Sequence, residues 1–232
     1  MKRPLLFPCA LCLVIGLLLG VLIPVDWRQE PTPPALALTV NGSGQPAQEG
    51  AASAVPAQPQ ELDTEDNFPL LSAACAVNRL LQRQDYARLA SYVHPDRGLT
   101  FTPYSTVNFE ADLTFTPDQI KDLAQDQTVY TWGVEDGRGD PIRMTMAQYI
   151  DRYVYDKDYC QATEVGIDRI MTGGNALENL AEEYTGCRFV DFSFPSADPV
   201  NDGLDWSSLK LVFAPKGGGW LLVGIVHGEW TI

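Results

Sequence analysis

The 232 residues are enough for one soluble domain plus appendages. Thirty acidic residues against 16 basic ones give a net charge of −14. That surface repels phosphate backbones and anionic headgroups, and so excludes nucleic acid as a partner.

Lys2 and Arg3 precede an uncharged apolar run from Leu5 to Val25. A bilayer core needs about 20 apolar residues, so this length fits a transmembrane helix. The basic flank stays in the cytoplasm and sends the C-terminus outward. The rival reading is a cleaved signal peptide, whose apolar region is ordinarily shorter, about 7–15 residues. The expected layout is a cytoplasmic stub (1–4), a signal-anchor (5–25), a tether (26–65) and an extracytoplasmic domain (66–232). The tether is rich in Pro, Ala, Gln, Gly and Ser, and holds too few large apolar groups to offset its ordering entropy.

Within the domain, Leu70, Leu71, Ala74, Val77, Leu80 and Leu81 make the apolar stripe of a helix capped at Asp66 or Asn67. Tyr86, Leu89, Ala90 and Val93 continue into a shorter helix that stops at His94-Pro95. Leu99–Thr102 reads as a strand and Asn108–Phe115 as a second extended stretch. Thr116-Pro117-Asp118 opens a short helix whose buried side is Ile120, Leu123 and Ala124. A strand follows at Thr128–Val134, then a polar turn at Glu135–Pro141. Thr145 caps a helix carrying Met146, Tyr149, Ile150 and Tyr153. Glu164–Met171 reads as a strand, Ala176–Tyr184 as a helix and Arg188–Phe194 as a strand.

The chain closes on a hairpin. Leu209, Leu211 and Phe213 fall on one face of its first strand, and Gly217-Gly218-Gly219 lies in the turn. The last strand, WLLVGIVHGEWTI, is apolar on both faces for most of its length, so it belongs inside a sheet. Its glycines at 224 and 228 mark bulges or bends. Early helices followed mainly by strands predict an α+β fold with helices on a curved antiparallel sheet.

That arrangement resembles the NTF2-like (SnoaL-like) superfamily, which implies a cone with a cavity. The runs His94-Pro95-Asp96-Arg97-Gly98-Leu99-Thr100-Phe101-Thr102-Pro103-Tyr104, Tyr130-Thr131-Trp132-Gly133, Asp205-Trp206-Ser207-Ser208-Leu209 and Val223 to Ile232 also resemble a family of uncharacterised extracytoplasmic bacterial domains. That resemblance spans roughly residues 68–232. It implies location and fold, and no catalytic residues.

His227 and Glu229 lie two apart on a strand and share a face, so they are the candidate acid–base pair of a small hydrolase or isomerase. The other reading is a local hydrogen-bonded pair. A cavity lined by tyrosines would favour the first, and local pairing the second. His94 is expected to cap a helix C-terminus as a partly charged imidazole. Tyr104, Trp132, Tyr149, Tyr153, Trp206 and Trp230 are the candidate ligand-binding aromatics. No cofactor is called for and no metal ligand spacing is present. The acidic loop Asp198, Asn201, Asp202, Asp205 departs from the calcium-loop pattern at Val200 and Leu209. Arg138-Gly139-Asp140 reads as a tight turn. Cys160 and Cys187 are candidates for one disulfide; the alternative is three small free thiols at Cys75, Cys160 and Cys187. The leading expectation is therefore a binding or interaction module, held at the bilayer by residues 5–25. Its partner would be a small molecule, a peptide or an envelope protein, outside the cytoplasm of a bacterial cell.

Overall fold

The first helix, α1 (Thr64–Gln82), lays Leu70, Ala74, Val77 and Leu81 against a sheet. Those four recur at helical spacing, which puts them on one face. The computed structural model describes residues 64–231, with the side chains of residues 64–66 and 199 left aside. The expected stub and anchor, and the tether up to residue 63, lie outside the described residues. Among those described, no helix is long and apolar enough to cross a membrane. α1 starts at Thr64, ahead of the expected caps Asp66 and Asn67.

A six-stranded sheet carries the domain, in the order β2-β1-β8-β7-β6-β5. Its strands are β1 (Leu99–Thr102), β2 (Leu113–Phe115), β5 (Glu164–Ile167), β6 (Arg188–Phe194), β7 (Ser207–Lys216) and β8 (Gly219–Glu229). The expected all-antiparallel sheet is corrected to a mixed one, because β1 runs parallel to β8, Thr100 opposite Gly224. The physical cause is the approach to β1. Val93 already bridges Leu222 in parallel, and His94 N–H donates to the Leu222 carbonyl at 2.9 Å. A separate two-stranded hairpin is formed by β3 (Val129–Val134) and β4 (Pro141–Thr145). β4 lies where the sequence reading had no strand, with Pro141 at its first position, where a missing N–H costs little.

The β7–β8 hairpin sits inside the sheet, as its two-sided apolar pattern requires. Leu209, Leu211 and Phe213 join α1 in one core, each removed from solvent. Burying a side chain of that size contributes roughly 1.5–3 kcal/mol. Val212, Ala214, Val223 and Val226 belong to a second core on the opposite face. There α5 (Leu180–Glu183), with Leu180 and Tyr184, is the cover. A register shift between Val212 and Phe213 puts one extra β8 residue beside Gly224 and curves the sheet. A Cβ at Gly224 would come within 2.4 Å of the Tyr184 hydroxyl.

Several elements are shorter than the sequence suggests. The Asn108–Phe115 stretch is extended only over β2, and the Ala176–Tyr184 helix only over α5. β5 ends at Ile167 because Asp168 adopts φ 49°, outside any strand. α2 (Tyr86–Leu89) is a single turn capped by Asp85. Ile120 and Leu123 are buried beside α3 (Pro117–Lys121), but Ala124 is exposed, because a tighter turn over Leu123–Gln125 rotates it outward.

Thr145 caps α4 (Met146–Tyr149) with a reciprocal pair: its hydroxyl accepts from Gln148 N–H, and its N–H donates to Gln148 Oε1 at 2.9 Å. Thr145→Ala should therefore cost about 1 kcal/mol, read from urea unfolding. The helix then widens into a π-helix over Ile150–Val154, which swings Arg152 and Tyr153 toward β8. A shift below about 0.3 kcal/mol would mean the box is not formed in solution.

Candidate functional site

Three parts of the chain meet beyond the end of β1. They are the bend Pro103–Thr106, the tip of the β3–β4 hairpin and the segment Asn175–Leu177. Between them lies an open cleft of about 700 Å³. Two of its walls are fastened together. Thr106 Oγ1 donates to the Leu177 carbonyl at 2.7 Å, and the Asn179 side chain exchanges hydrogen bonds with both backbone groups of Val107 at 2.8 and 3.0 Å.

Tyr104, Trp132 and Asp112 line the cleft, with Glu135, Asp136 and Arg138 from the hairpin tip. Asp112 Oδ2 accepts from Thr102 Oγ1 at 2.7 Å and from Asn108 N–H at 2.9 Å. Burial pushes its pKa up, and these two bonds only partly offset that. Trp132 Nε1 donates to the Met144 carbonyl at 3.0 Å, which fixes the indole across the hairpin.

Behind this wall the aromatics form a column. Trp132 stacks on Tyr149 with centroids 3.8 Å apart and planes at 18°. Tyr149 leans on Tyr153 at 5.2 Å, and Tyr153 meets Tyr104 edge-on at 5.7 Å. Tyr149 is fully buried, its hydroxyl has no partner, and burial raises its pKa far above the ordinary phenol value. The six candidate aromatics therefore separate. Tyr104 and Trp132 reach the cleft, while Tyr149 and Tyr153 stand behind them in the core. Trp206 and Trp230 lie on the sheet's other face, packed around Gly174.

The column ends on His227, whose ring meets Tyr153 edge-on at 5.9 Å. His227 and Glu229 do share a face, with Nε2 3.5 Å from Glu229 Oε2. On its other side, Nδ1 is 3.9 Å from Asp156 Oδ1. Glu229 is held in a fork by Arg152 at 2.7 and 3.1 Å. Burial pushes the Glu229 carboxyl up, but its contacts with His227 and Arg152 outweigh this and hold it at about 2. His227 is fully buried, and neither it nor Glu229 lines the cleft. Both carboxylates stand at ion-pair distance from the ring, and neither buried ring nitrogen has a hydrogen-bond partner. Asp156 and Arg152 are distant in sequence, and only the π-helix and its following loop bring them in.

A constellation that the sequence reading passed over lies on the opposite face. Lys210 is fully buried, with Nζ 2.9 Å from Glu178 Oε2 and 3.3 Å from Ser105 Oγ. Asp191 is also buried and accepts from Met171 N–H at 2.9 Å. Burial pushes the Asp191 carboxyl up to about 6 against the pull of Lys210. Gly228 makes room for the lysine: a Cβ there would lie 3.0 Å from Nζ and 2.5 Å from Ser208 Oγ. Ser105 and Glu178 border the residues that form the cleft's walls, so this ion pair stands directly behind them.

His94 does not act as a charged helix cap. Its Nδ1 accepts from Asp96 and Arg97 N–H at 3.2 and 3.1 Å, and burial and then Lys216 lower its pKa. Pro95 turns the chain so sharply that the imidazole faces the turn after it, not the helix before. Of the two cysteine readings, the structure has the free thiols and not the Cys160–Cys187 bridge. Cys187 packs against the second core, while Cys160 shares a small cavity with Cys75, Asn78 and Arg79 of α1. In the acidic loop, Asp205 accepts from Ser196 and from the N–H groups of Ala197 and Asp198, and these bonds hold its pKa low. Among the described residues, no three His, Cys, Asp or Glu side chains converge as a metal site.

No known family matches this chain, and no curated protein does. Solved structures overlap it loosely. A hub-homology domain from Chlamydomonas reinhardtii is 10% identical, covers 72% of this chain and 99% of its own, with a TM-score of 0.33. An NTF-2 like protein of unknown function from Shewanella oneidensis is 9% identical over 72% and 100%, at 0.27. A cystatin-like domain of unknown function from Nostoc punctiforme is 9% identical over 74% and 81%, at 0.34.

Proposed function

We propose that the folded part of this chain is a ligand-binding module of NTF2-like plan, held outside the cell membrane by residues 5–25 and a polar tether. The observation that carries the binding role is the cleft, about 700 Å³ in volume, with Tyr104 and Trp132 in its wall. Its size falls in the range of small-molecule sites, and aromatic walls with a few fixed polar groups are what such sites use. Three carboxylates (Asp112, Glu135 and Asp136) face one guanidinium, Arg138, so the cleft favours neutral or cationic ligands over anionic ones. Short peptides and oligosaccharides of the bacterial cell envelope fit that description. The support for the anchor is the uncharged length of residues 5–25 behind two basic residues.

The test pairs a thermal-shift screen against envelope peptides and sugars with a Tyr104→Ala variant. A compound that raises the melting temperature of the parent should lose most of that effect in the variant. Equal stabilisation of both proteins would move the binding site away from the cleft. Separately, the full chain should sediment with membranes and lose its domain to protease added from outside. Recovery in the soluble cytoplasmic fraction would remove the anchor from this account.

A further inference from the structure

A small cavity of about 180 Å³ opens between α1 and the segment that leads into β5, and both Cys75 and Cys160 are in its wall. Its other lining includes Asn78, Arg79, Tyr159 and Ala162. Cys75, Asn78, Arg79 and Gln82 recur at three- and four-residue spacing, so they form one face of α1. That face is locked to the facing segment at one end. Gln82 Nε2 donates to both oxygens of Asp158 at 2.9 and 3.1 Å, and Asp158 Oδ1 also accepts from Cys160 N–H at 3.2 Å. The fastening therefore lies two residues before Cys160 and two helical turns from Cys75. Asn78 is 2% exposed and its Oδ1 has no partner, so this seam has not closed on itself.

We propose that Cys75 and Cys160 are the disulfide-forming pair of this domain, a redox staple that fixes α1 to the sheet. Both thiols are half-buried, so a small oxidant reaches them. The Tyr155 hydroxyl donates to Asp158 Oδ1 at 2.8 Å and stands 3.5 Å from Cys160 Sγ, while burial pushes the Cys75 thiol up and makes it the harder of the two to deprotonate. Cys160 is therefore the attacking sulfur. With oxidised glutathione as oxidant, Cys160 releases its proton to water and displaces one glutathione thiolate, leaving a mixed disulfide. Cys75, deprotonated in turn, attacks Cys160 Sγ and displaces the second glutathione. One S–S bond forms in the protein as one is lost from the oxidant, and the two electrons pass to glutathione. Cys187 takes no part. It packs on the other face of the sheet, with Arg97 Nη1 3.0 Å from its sulfur.

The full chain, reduced and then exposed to oxidised glutathione, is digested with trypsin without reduction and weighed. The Cys75 peptide (29–79) should appear joined to the Cys160 peptide (158–169), with the Cys187 peptide (170–188) still open to alkylation. Cys187→Ser should leave this product unchanged, and Cys160→Ser should abolish it. The oxidised protein should also melt at least ~5 °C higher than the reduced one. Alkylation of Cys75 and Cys160 in full after oxidation, or a peptide joining Cys160 to Cys187, would overturn the proposal.

Discussion

A Lys210→Met variant is expected to lose about 3–5 kcal/mol of folding stability, the usual cost of stripping one partner from a buried ion pair. Lys210 is fully buried and 2.9 Å from Glu178 Oε2, with Asp191 also buried nearby. Without the ammonium, two carboxylates remain in a water-poor space with no cation to face. Methionine keeps most of the volume, so the loss reports charge and not a cavity. Urea unfolding at pH 7 measures it. The double variant Lys210→Met with Glu178→Gln should recover more than half, because it also removes the carboxylate that paired directly with the ammonium and leaves only Asp191. A single-variant loss below about 1 kcal/mol would mean that water reaches this cluster in solution. Glu178 follows Leu177, which lines the cleft, so the single variant should also weaken whatever binding the parent shows.

The burial of Lys210 marks where reading from sequence runs out. In Ser208-Leu209-Lys210-Leu211-Val212-Phe213, the alternation assigns Leu209, Leu211 and Phe213 to a core, and they are there. The same alternation sends Lys210 to water, which holds only when one sheet face is solvated. The clue to the contrary lay in β8. Its apolar residues on both faces imply that both faces are covered, and its neighbour β7 must share that cover. Local signals fared better. Thr116 and Thr145 both cap as expected, each with a glutamine three residues on closing the box, and β6 has the predicted bounds. What depends on distant partners was not legible. The parallel β1–β8 pairing, the fork from Arg152 to Glu229 and the division of six aromatics between two faces all arise from tertiary contacts. β4 was missed although Ile142 is buried and its neighbours Pro141 and Arg143 are exposed, because five residues after a polar turn carry too short a pattern to separate from loop.

The second large effect is a pH dependence centred on Asp191. Its carboxyl titrates at about 6 in the folded chain, against an ordinary value near 3.8, because burial outweighs the pull of Lys210 and the hydrogen bond from Met171. Between those two values the folded chain binds more protons than the unfolded one. Its contribution is therefore fully present below about pH 4 and is lost as pH rises through 6. The span corresponds to about 3 kcal/mol. Glu229 works in the opposite sense, since a carboxyl held at about 2 loses its contribution as pH falls. The total curve thus blends the two, and Asp191 has to be read from a difference. Asp191→Asn keeps an acceptor for Met171 N–H and removes the titration. Measured by urea unfolding from pH 4 to pH 8, the gap between variant and parent should shift toward the variant by about 3 kcal/mol, most of it below pH 7. Two parallel curves would show that Asp191 titrates like an exposed carboxylate, and that the face of the sheet behind the cleft is wet rather than sealed.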